Sequence, residues 1–437
     1  MTGPQHQNKF VVVVILSAIY GVNYVDRQIV AILLDPIKAE FGVSDTVLGL
    51  LAGPAFALFY ATVGVPLAML ADRTSRKRLI AWSLGFFSLM TLACGLAAQF
   101  WQLLIARVLT GVGEAGTGPA SQSLISDLFR PHERATAQAG YAVGVNVGLM
   151  IAFFCGGWIA QEFGWRVAFI AAGLPGLVLV VVLMAFVKEP LRLGKADEPD
   201  NPTLVDTVKV LWQRKSFLWL IIGGGLSAFA SYGVTMFVPS FLMRSHGLNP
   251  ADVGLILALF VGLGGGTATF LSGVVADRLS RKDMRWNMYV PAIAALVSLP
   301  FWPIVIILDN SLLAIGALAI PLALGMVFIG PLIATVQTLA PVRMRARAAA
   351  IQMLIGNLIG LGLGPLVIGF VSDILRPSLG ENSLRFALLA GVLASVLSII
   401  AYIVAARSLR KDIETTGEVR FGETGPAAPG SAGSMPT

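Results

Sequence analysis

Apolar residues run through most of the chain in blocks of twenty or more, separated by short polar breaks. The blocks lie near 10–34, 46–70, 79–98, 101–125, 136–160 and 165–187, and then near 216–243, 251–275, 286–308, 311–338, 348–372 and 383–406. An α-helix needs about 20 apolar residues to cross a bilayer. The pattern predicts an all-α membrane protein with 12 transmembrane helices, in two six-helix bundles. The bundles are expected at 1–187 and 216–411, joined by a linker at 188–215 and followed by a tail at 412–437. Within the linker, Leu204, Val208 and Leu211 recur at helical spacing among charges, which predicts an amphipathic helix at the membrane surface. The Gly, Ala, Pro, Ser and Thr of the tail cannot bury a core, so disorder is expected there.

Composition agrees. Of 437 residues, 56% are hydrophobic and 13% charged, against about 25% charged in a soluble protein. The start of the chain does not read as a cleaved signal, because the run from Phe10 is interrupted by Asp26 and Arg27 rather than ended by small residues. An even number of crossings places both termini on one side. Loops there carry most of the Lys and Arg, as in Arg73, Arg76, Lys77 and Arg78, and again in Arg278, Arg281, Lys282 and Arg285. The opposite loops hold Lys38, Arg166, Arg244, Arg376 and Arg385. By the positive-inside rule both termini are cytoplasmic, in the inner membrane if the cell is bacterial. Basic residues placed this way orient helices and do not form a nucleic-acid face. Cys94 and Cys155 make no disulfide framework, and His6, His132 and His246 fall outside the apolar blocks, so neither a metal nor a cofactor is expected.

The two halves repeat. Ala71-Asp72-Arg73-Thr74-Ser75-Arg76-Lys77 follows the second block, and Ala276-Asp277-Arg278-Leu279-Ser280-Arg281-Lys282 follows the eighth, 205 positions later. Gly118-Pro119 and Gly330-Pro331 are a weaker echo. Duplicated six-helix halves enclosing a site are a transporter plan. An acid followed by bases at a tight turn can pair with a neighbouring bundle and latch one side shut, so Asp72, Arg73, Arg76, Asp277, Arg278 and Arg281 are candidate gating residues, with Asp127 in the same loop layer.

Asp26, Arg27, Arg107 and Glu114 are the charges expected well inside blocks. Each costs a few kcal/mol or more in hydrocarbon and is expected to face a cavity or another charge. Arg107, Gly111 and Glu114 share a helix face, and Asn23 lies one turn before Arg27, beside Tyr24. A carboxyl that pairs with arginine in one state and is released in another can load and shed a proton. Arginine can exchange that carboxylate for a carboxylate or phosphate of a substrate. Asp26 and Glu114 are thus candidate proton sites, and Arg27, Arg107, Asn23 and Tyr24 candidate substrate contacts. The later blocks carry only neutral polar groups, among them Ser227, Ser231, Tyr232 and Gln352. A cavity charged on one wall and mainly apolar on the other suits an amphipathic anion.

The duplicated Asp-Arg-x-x-Arg-Lys loop, together with Arg107-Val-Leu-Thr-Gly111-Val-Gly113-Glu114-Ala115, resembles the signature of the major facilitator superfamily, although Ser75, Ser280 and Ala68 stand where the family commonly has glycine. Asn23-Tyr24-Val25-Asp26-Arg27, Phe41-Gly42-Val43, and Gly113 to Ala120 running on to Ile125-Ser126-Asp127-Leu128-Phe129 resemble its spinster branch. That resemblance implies lysophospholipid or sphingosine-phosphate-like substrates, carried by alternating access, with Asp26, Arg27 and Glu114 as working groups. The organic anion–cation symporters, which carry sugar acids, share the Asp-Arg pair and the Arg-to-Glu spacing and are the alternative. A non-transporting sensor would need a soluble signalling domain. An enzyme would need a nucleophile–base pair or metal ligands in the blocks, and no histidine accompanies the serines there. The absence of a P-loop argues against direct use of ATP. The expected partners are therefore an amphipathic anionic small molecule, protons and the bilayer, with the protein a monomer.

Overall fold

The computed structural model describes residues 8–130, 132–190 and 204–422, and these contain helices and connecting turns but no strand. The first half comprises α1 (Lys9–Phe41), α2 (Asp45–Ala52), α3 (Pro54–Arg73), α4 (Arg76–Gly95), α5 (Phe100–Glu114), α6 (Thr117–Leu128), α7 (Arg134–Phe163) and α8 (Trp165–Phe186). The short α9 (Leu204–Trp212) leads to the second half: α10 (Lys215–His246), α11 (Pro250–Leu257), α12 (Gly266–Ser280), α13 (Trp286–Ser298), α14 (Phe301–Ile307), α15 (Ser311–Leu324), α16 (Ile329–Leu339), α17 (Arg345–Gly356), α18 (Gly364–Leu379), α19 (Ser383–Ala387) and α20 (Leu389–Gly422). Grouped by crossing, these give the twelve predicted spans in two sets of six. Many large apolar side chains, such as Trp82, Phe270 and Leu393, point outward, as lipid-facing positions must.

Several crossings are interrupted where the halves meet. The second breaks at Gly53, between α2 and α3. The eighth and eleventh each pass through a π-helical segment, Ala258–Gly265 and Asn357–Leu363, a wide turn that often marks functional positions. Among the described residues, eleven helical stretches are long and apolar enough to cross a membrane by themselves. The fourth crossing is not among them, because it splits into 15 and 12 residues at Glu114. The carbonyl of Glu114 at this break accepts the Thr117 hydroxyl at 2.8 Å, so the disrupted ladder is satisfied by a side chain.

The repeat extends to the face opposite the termini, here the far face. Gly42 and Gly247 end α1 and α10 at φ 64° and 67°, a conformation open to glycine at little cost. Ser44 and Asn249 then cap the next helices. Both pairs keep the 205-position offset of Asp72 and Asp277.

The far face is sealed between the halves. Arg244 at the end of α10 reaches Asp35 at 2.5 Å and Asp45 at 2.9 Å. Asp45 also takes Lys38 at 2.5 Å and the Ser372 hydroxyl at 2.7 Å. Asp373 accepts the backbone amides of Asp45 and Thr46, capping α2 from the other half. The backbones touch closely: a Cβ on Gly369 would lie 2.1 Å from the Asp45 carbonyl oxygen, and one on Gly254 would lie 2.2 Å from that of Phe153. At the face carrying the termini, α12, α16 and α17 share no packing of this extent with α3, α4 and α6. The two halves therefore meet at the far face and part toward the other.

At the terminal face the two copies of the repeated loop behave differently. Arg76 is buried and pairs with Asp127 and, at 2.9 Å, with Glu189. Glu189 accepts the amides of Arg76 and Lys77 and the Ser75 hydroxyl. Partial burial raises the Glu189 carboxyl, but these donors outweigh it and hold the group below its ordinary range. In the second half Asp277, Arg278 and Arg281 are exposed, and no ion pair joins them among the described residues. Counting from Gly118-Pro119 and Gly330-Pro331, Leu339 stands where Asp127 does, so the second loop lacks its acid. The candidate gating residues thus act within one bundle in this conformation and do not bridge the two; Arg73 is exposed, and the side chain of Asp72 lies outside the described residues.

Two expectations for the connecting segments change. The linker helix forms, but Thr207 and Leu211 are its buried positions, while Val205, Val208 and Trp212 are exposed; residues 191–203 lie outside the described residues. The last helix does not stop at Lys411. It continues to Gly422; past Lys411, Asp412 accepts the Ser216 amide at 2.8 Å and Ile413 packs on the second-half core. Tertiary contacts override the polar composition there, and residues 423–437 lie outside the described residues.

Removing Arg244 leaves Asp35 and the buried Asp45 without their strongest partner, which costs about 3 kcal/mol. Arg244→Ala is expected to open the far face, raising thiol labelling of a cysteine placed at the buried Ser372 at least about tenfold. Unchanged labelling would mean that backbone packing alone closes this face.

Candidate functional site

The membrane interior offers no water to solvate an ion, so a buried charge must find a partner inside the protein. The four intramembrane charges do so in two crossed pairs between α1 and α5. Arg27 Nε donates to Glu114 Oε1 at 2.7 Å, and Arg27 Nη2 lies 2.5 Å from the same oxygen. Asp26 Oδ2 takes Arg107 Nη1 at 2.7 Å, and its Oδ1 accepts the Thr91 hydroxyl at 2.6 Å. Asp26 and Glu114 are fully buried and Arg107 nearly so; Arg27 keeps a small accessible surface of 8%.

The two carboxylates differ in how well they are satisfied. Asp26 uses both oxygens. Glu114 uses one, and its Oε2 is buried without a hydrogen-bond partner. Asn23 donates through Nδ2 to the Thr117 hydroxyl at 2.6 Å, leaving its own Oδ1 without a partner. Two acceptors without donors therefore flank the break in the fourth crossing. A buried acceptor left empty costs about 1–3 kcal/mol, and a proton or a donor on a ligand would recover it.

Arg27 lies in an aromatic enclosure. Its guanidinium carbon is 4.4 Å from the ring centre of Tyr60, 5.0 Å from Phe56 and 5.4 Å from Tyr24. Cation–π contacts strengthen when desolvated, as here. Tyr20 meets Tyr24 edge-on and stacks on Tyr141 at 4.5 Å. Tyr232 approaches from the second half and packs with Phe56, Ala57 and Leu361. Three rings thus surround the guanidinium carbon, and Nη1 has no hydrogen-bond partner among the described residues.

The opposite wall is neutral. At the 205-position offset, Ser231 and Tyr232 stand where Asp26 and Arg27 do. Ser231 lines a cavity inside the second half with Ser227, Thr235, Ser298, Trp302 and Phe328. The repeat has thus kept its backbone plan while retaining intramembrane charge in one half.

Of the residues expected at the site, Asn23, Tyr24, Asp26, Arg27, Arg107 and Glu114 converge on one another. Sequence reading missed Thr91, Thr117, Phe56 and Tyr60, and at the far face Asp35, Asp45 and Asp373. Phe56 and Tyr60 read as ordinary spanning residues because ring stacking leaves no periodic signal. The far-face acids lie at block ends, where an acid also reads as a loop residue.

A profile described as Major Facilitator Superfamily matches residues 16–365. An MFS-type efflux pump of Mycolicibacterium smegmatis (strain ATCC 700084 / mc(2)155) is 32% identical over 406 residues, covering 91% of this chain and 93% of that protein. Protein spinster homolog 1 of Xenopus tropicalis is 28% identical, over 94% of this chain and 83% of its own. The crystal structure of a bacterial homolog to the human lysosomal transporter spinster, inward-facing and unoccupied, superposes with a TM-score of 0.82 at 27% identity, covering 94% of this chain and 99% of that one. A D-xylose–proton symporter shares the fold alone, with a TM-score of 0.67 at 16% identity.

The crossed pairs make a specific stability pattern. Asp26→Asn leaves the Arg107 charge buried without its counter-ion and is expected to destabilise the protein by about 3 kcal/mol. Adding Arg107→Leu should restore most of that loss, because the stranded charge is then gone and the amide at position 26 keeps the Thr91 hydroxyl as a partner. Melting temperatures of the two single variants and the double in detergent check this; additive losses would show that the two residues act independently.

Proposed function

We propose that this chain, which belongs to the major facilitator superfamily and is a multi-pass membrane transporter of its spinster type, moves an amphipathic anionic small molecule by proton-coupled alternating access. The observation that carries the reading is the half-satisfied Glu114. Its Oε1 is held by Arg27 while its buried Oε2 is empty. A proton can bind Oε2 without first breaking the ion pair. Protonation then removes the charge that holds Arg27. The released guanidinium presents its fork to a phosphate or carboxylate, which Arg geometry recognises in bidentate fashion. Loss of the substrate returns Arg27 to Glu114 and expels the proton. Asp26 and Arg107 form the second pair, in which Asp26 uses both oxygens while the buried Arg107 Nε has no hydrogen-bond partner; it can open only if Thr91 and Arg107 both yield. Asn23 and Tyr24 border the same space.

The distribution of Lys and Arg supports a cytoplasmic terminal face. On that orientation the parted side faces the cytoplasm, the sealed side with Arg244 faces outward, and the conformation is inward-open. The charged first half and neutral second half suit a molecule with an anionic head and an apolar body, such as a lysophospholipid or sphingolipid-like compound. In this exchange the proton and the substrate occupy the site together, and the relative named an efflux pump supports export.

The reading is tested by uptake of a labelled lysophospholipid into proteoliposomes with and without a pH gradient. Gradient-sensitive, protein-dependent movement is expected, and transport of a sugar acid in its place would assign the protein to small organic anions. Glu114→Gln should abolish gradient dependence while retaining substrate exchange; a variant that still responds fully to the gradient removes Glu114 from coupling. Arg27→Ala should weaken substrate binding about tenfold or more, the loss of one charge-assisted contact, and equal binding by the variant would discard the anion site.

A further inference from the structure

Phe56 touches both ion pairs and the opposite half. Its ring centre lies 5.0 Å from the guanidinium carbon of Arg27 and 5.4 Å from that of Arg107. Tyr60 stacks on it at 5.5 Å with an interplanar angle of 16°. The ring is 1% exposed and belongs to a small buried cluster with Ala57 and Leu361. Leu361 lies in the π-helical segment of the eleventh crossing.

The backbone around Phe56 is equally confined. On one side α5 approaches so closely that a Cβ on Gly111 would lie 2.6 Å from the Phe56 carbonyl oxygen. On the other, a Cβ on Gly53 would lie 2.5 Å from the Gly362 carbonyl oxygen and 2.9 Å from that of Leu361. Phe56 therefore sits three residues past the break in the second crossing, between a rigid charged helix and a segment with an irregular hydrogen-bond ladder. Packed interiors do not deform smoothly, so a shift at one side of such a wedge is passed to the other.

We propose that Phe56 is a positioning residue that links the state of the two arginines to the closure of the far face. When Arg27 leaves Glu114, the guanidinium moves relative to the ring, and the ring shifts against Leu361. The π-helical segment leads directly into α18, whose Gly369, Ser372 and Asp373 form the far-face seal with Asp45. The charge site thereby acts on a seal made of residues it does not touch. The inference rests on the preceding reading only in choosing Glu114 as the group to perturb.

The test is a double-mutant cycle on conformation rather than transport. Spin labels at Glu162→Cys and Ser378→Cys, in a Cys155→Ser background, report far-face separation by pulsed electron resonance. With Phe56 present, Glu114→Gln is expected to raise the open fraction about fivefold or more, the usual range for coupled sites. With Phe56→Leu, which keeps apolar volume on Leu361 but removes the ring, the same substitution should change it little. Phe56→Tyr should restore the response. Equal effects of Glu114→Gln in the Phe and Leu backgrounds would overturn the proposal, as would no effect when Phe56 is present. Loss of gradient dependence in the proteoliposome assay bears on proton coupling alone and leaves this cycle's outcome standing.

Discussion

An ion in hydrocarbon must be neutralised where it stands, and the centre of this protein is arranged around that requirement. Arg27 and Glu114, with Asp26 and Arg107, form two crossed pairs between the first and fourth crossings. The close approach of α3 to α5 at Gly111, the break beside Glu114 and the rings over Arg27 all serve to hold these groups in contact. Pairing is nevertheless incomplete. One oxygen of Glu114 and one of Asn23 stay without partners, and a site that satisfied them permanently would have nothing left to exchange.

The two halves divide the labour of a duplicated plan. The 205-position offset aligns the terminal-face loops, the glycine caps of α1 and α10, and the helix caps that follow. Along it Asp26 and Arg27 become Ser231 and Tyr232, and Asp45 becomes Pro250. The first half holds the intramembrane charges. The second half carries π-helical segments, in the eighth and eleventh crossings where they meet the first half, while the first half breaks at Gly53 and beside Glu114. The far-face network around Asp45 joins the two without any residue of the central pairs.

Much of the fold was legible because the bilayer imposes length and composition on every crossing. Twelve blocks, a six-and-six split and a repeated loop needed no tertiary information. The intramembrane charges were legible for the same reason, since Asp26, Arg27, Arg107 and Glu114 are costly enough in apolar blocks to stand out. Phe56 and Tyr60 did not stand out, because an aromatic residue is as much at home facing lipid as facing a guanidinium. The two terminal-face loops are paired differently in this conformation. Motif identity suggested two equivalent latches, yet Leu339 in place of Asp127 leaves the second without its acid, and the first is engaged within its own bundle. The helix running to Gly422 escaped notice because Ile413 and Asp412 gain their meaning only from α10 beside them.

The sequence by itself determined that this chain crosses a membrane twelve times, that its halves are duplicates, and that four charges lie inside. Those conclusions follow from one-dimensional constraints: apolar length, loop charge and repeat offset. Tertiary structure decided which charge pairs with which, that Glu114 is half satisfied while Asp26 is complete, and which face is shut. These depend on distances between residues 65 to 328 positions apart. Helical periodicity fixes a side chain's direction on its own helix, but only packing fixes what it meets.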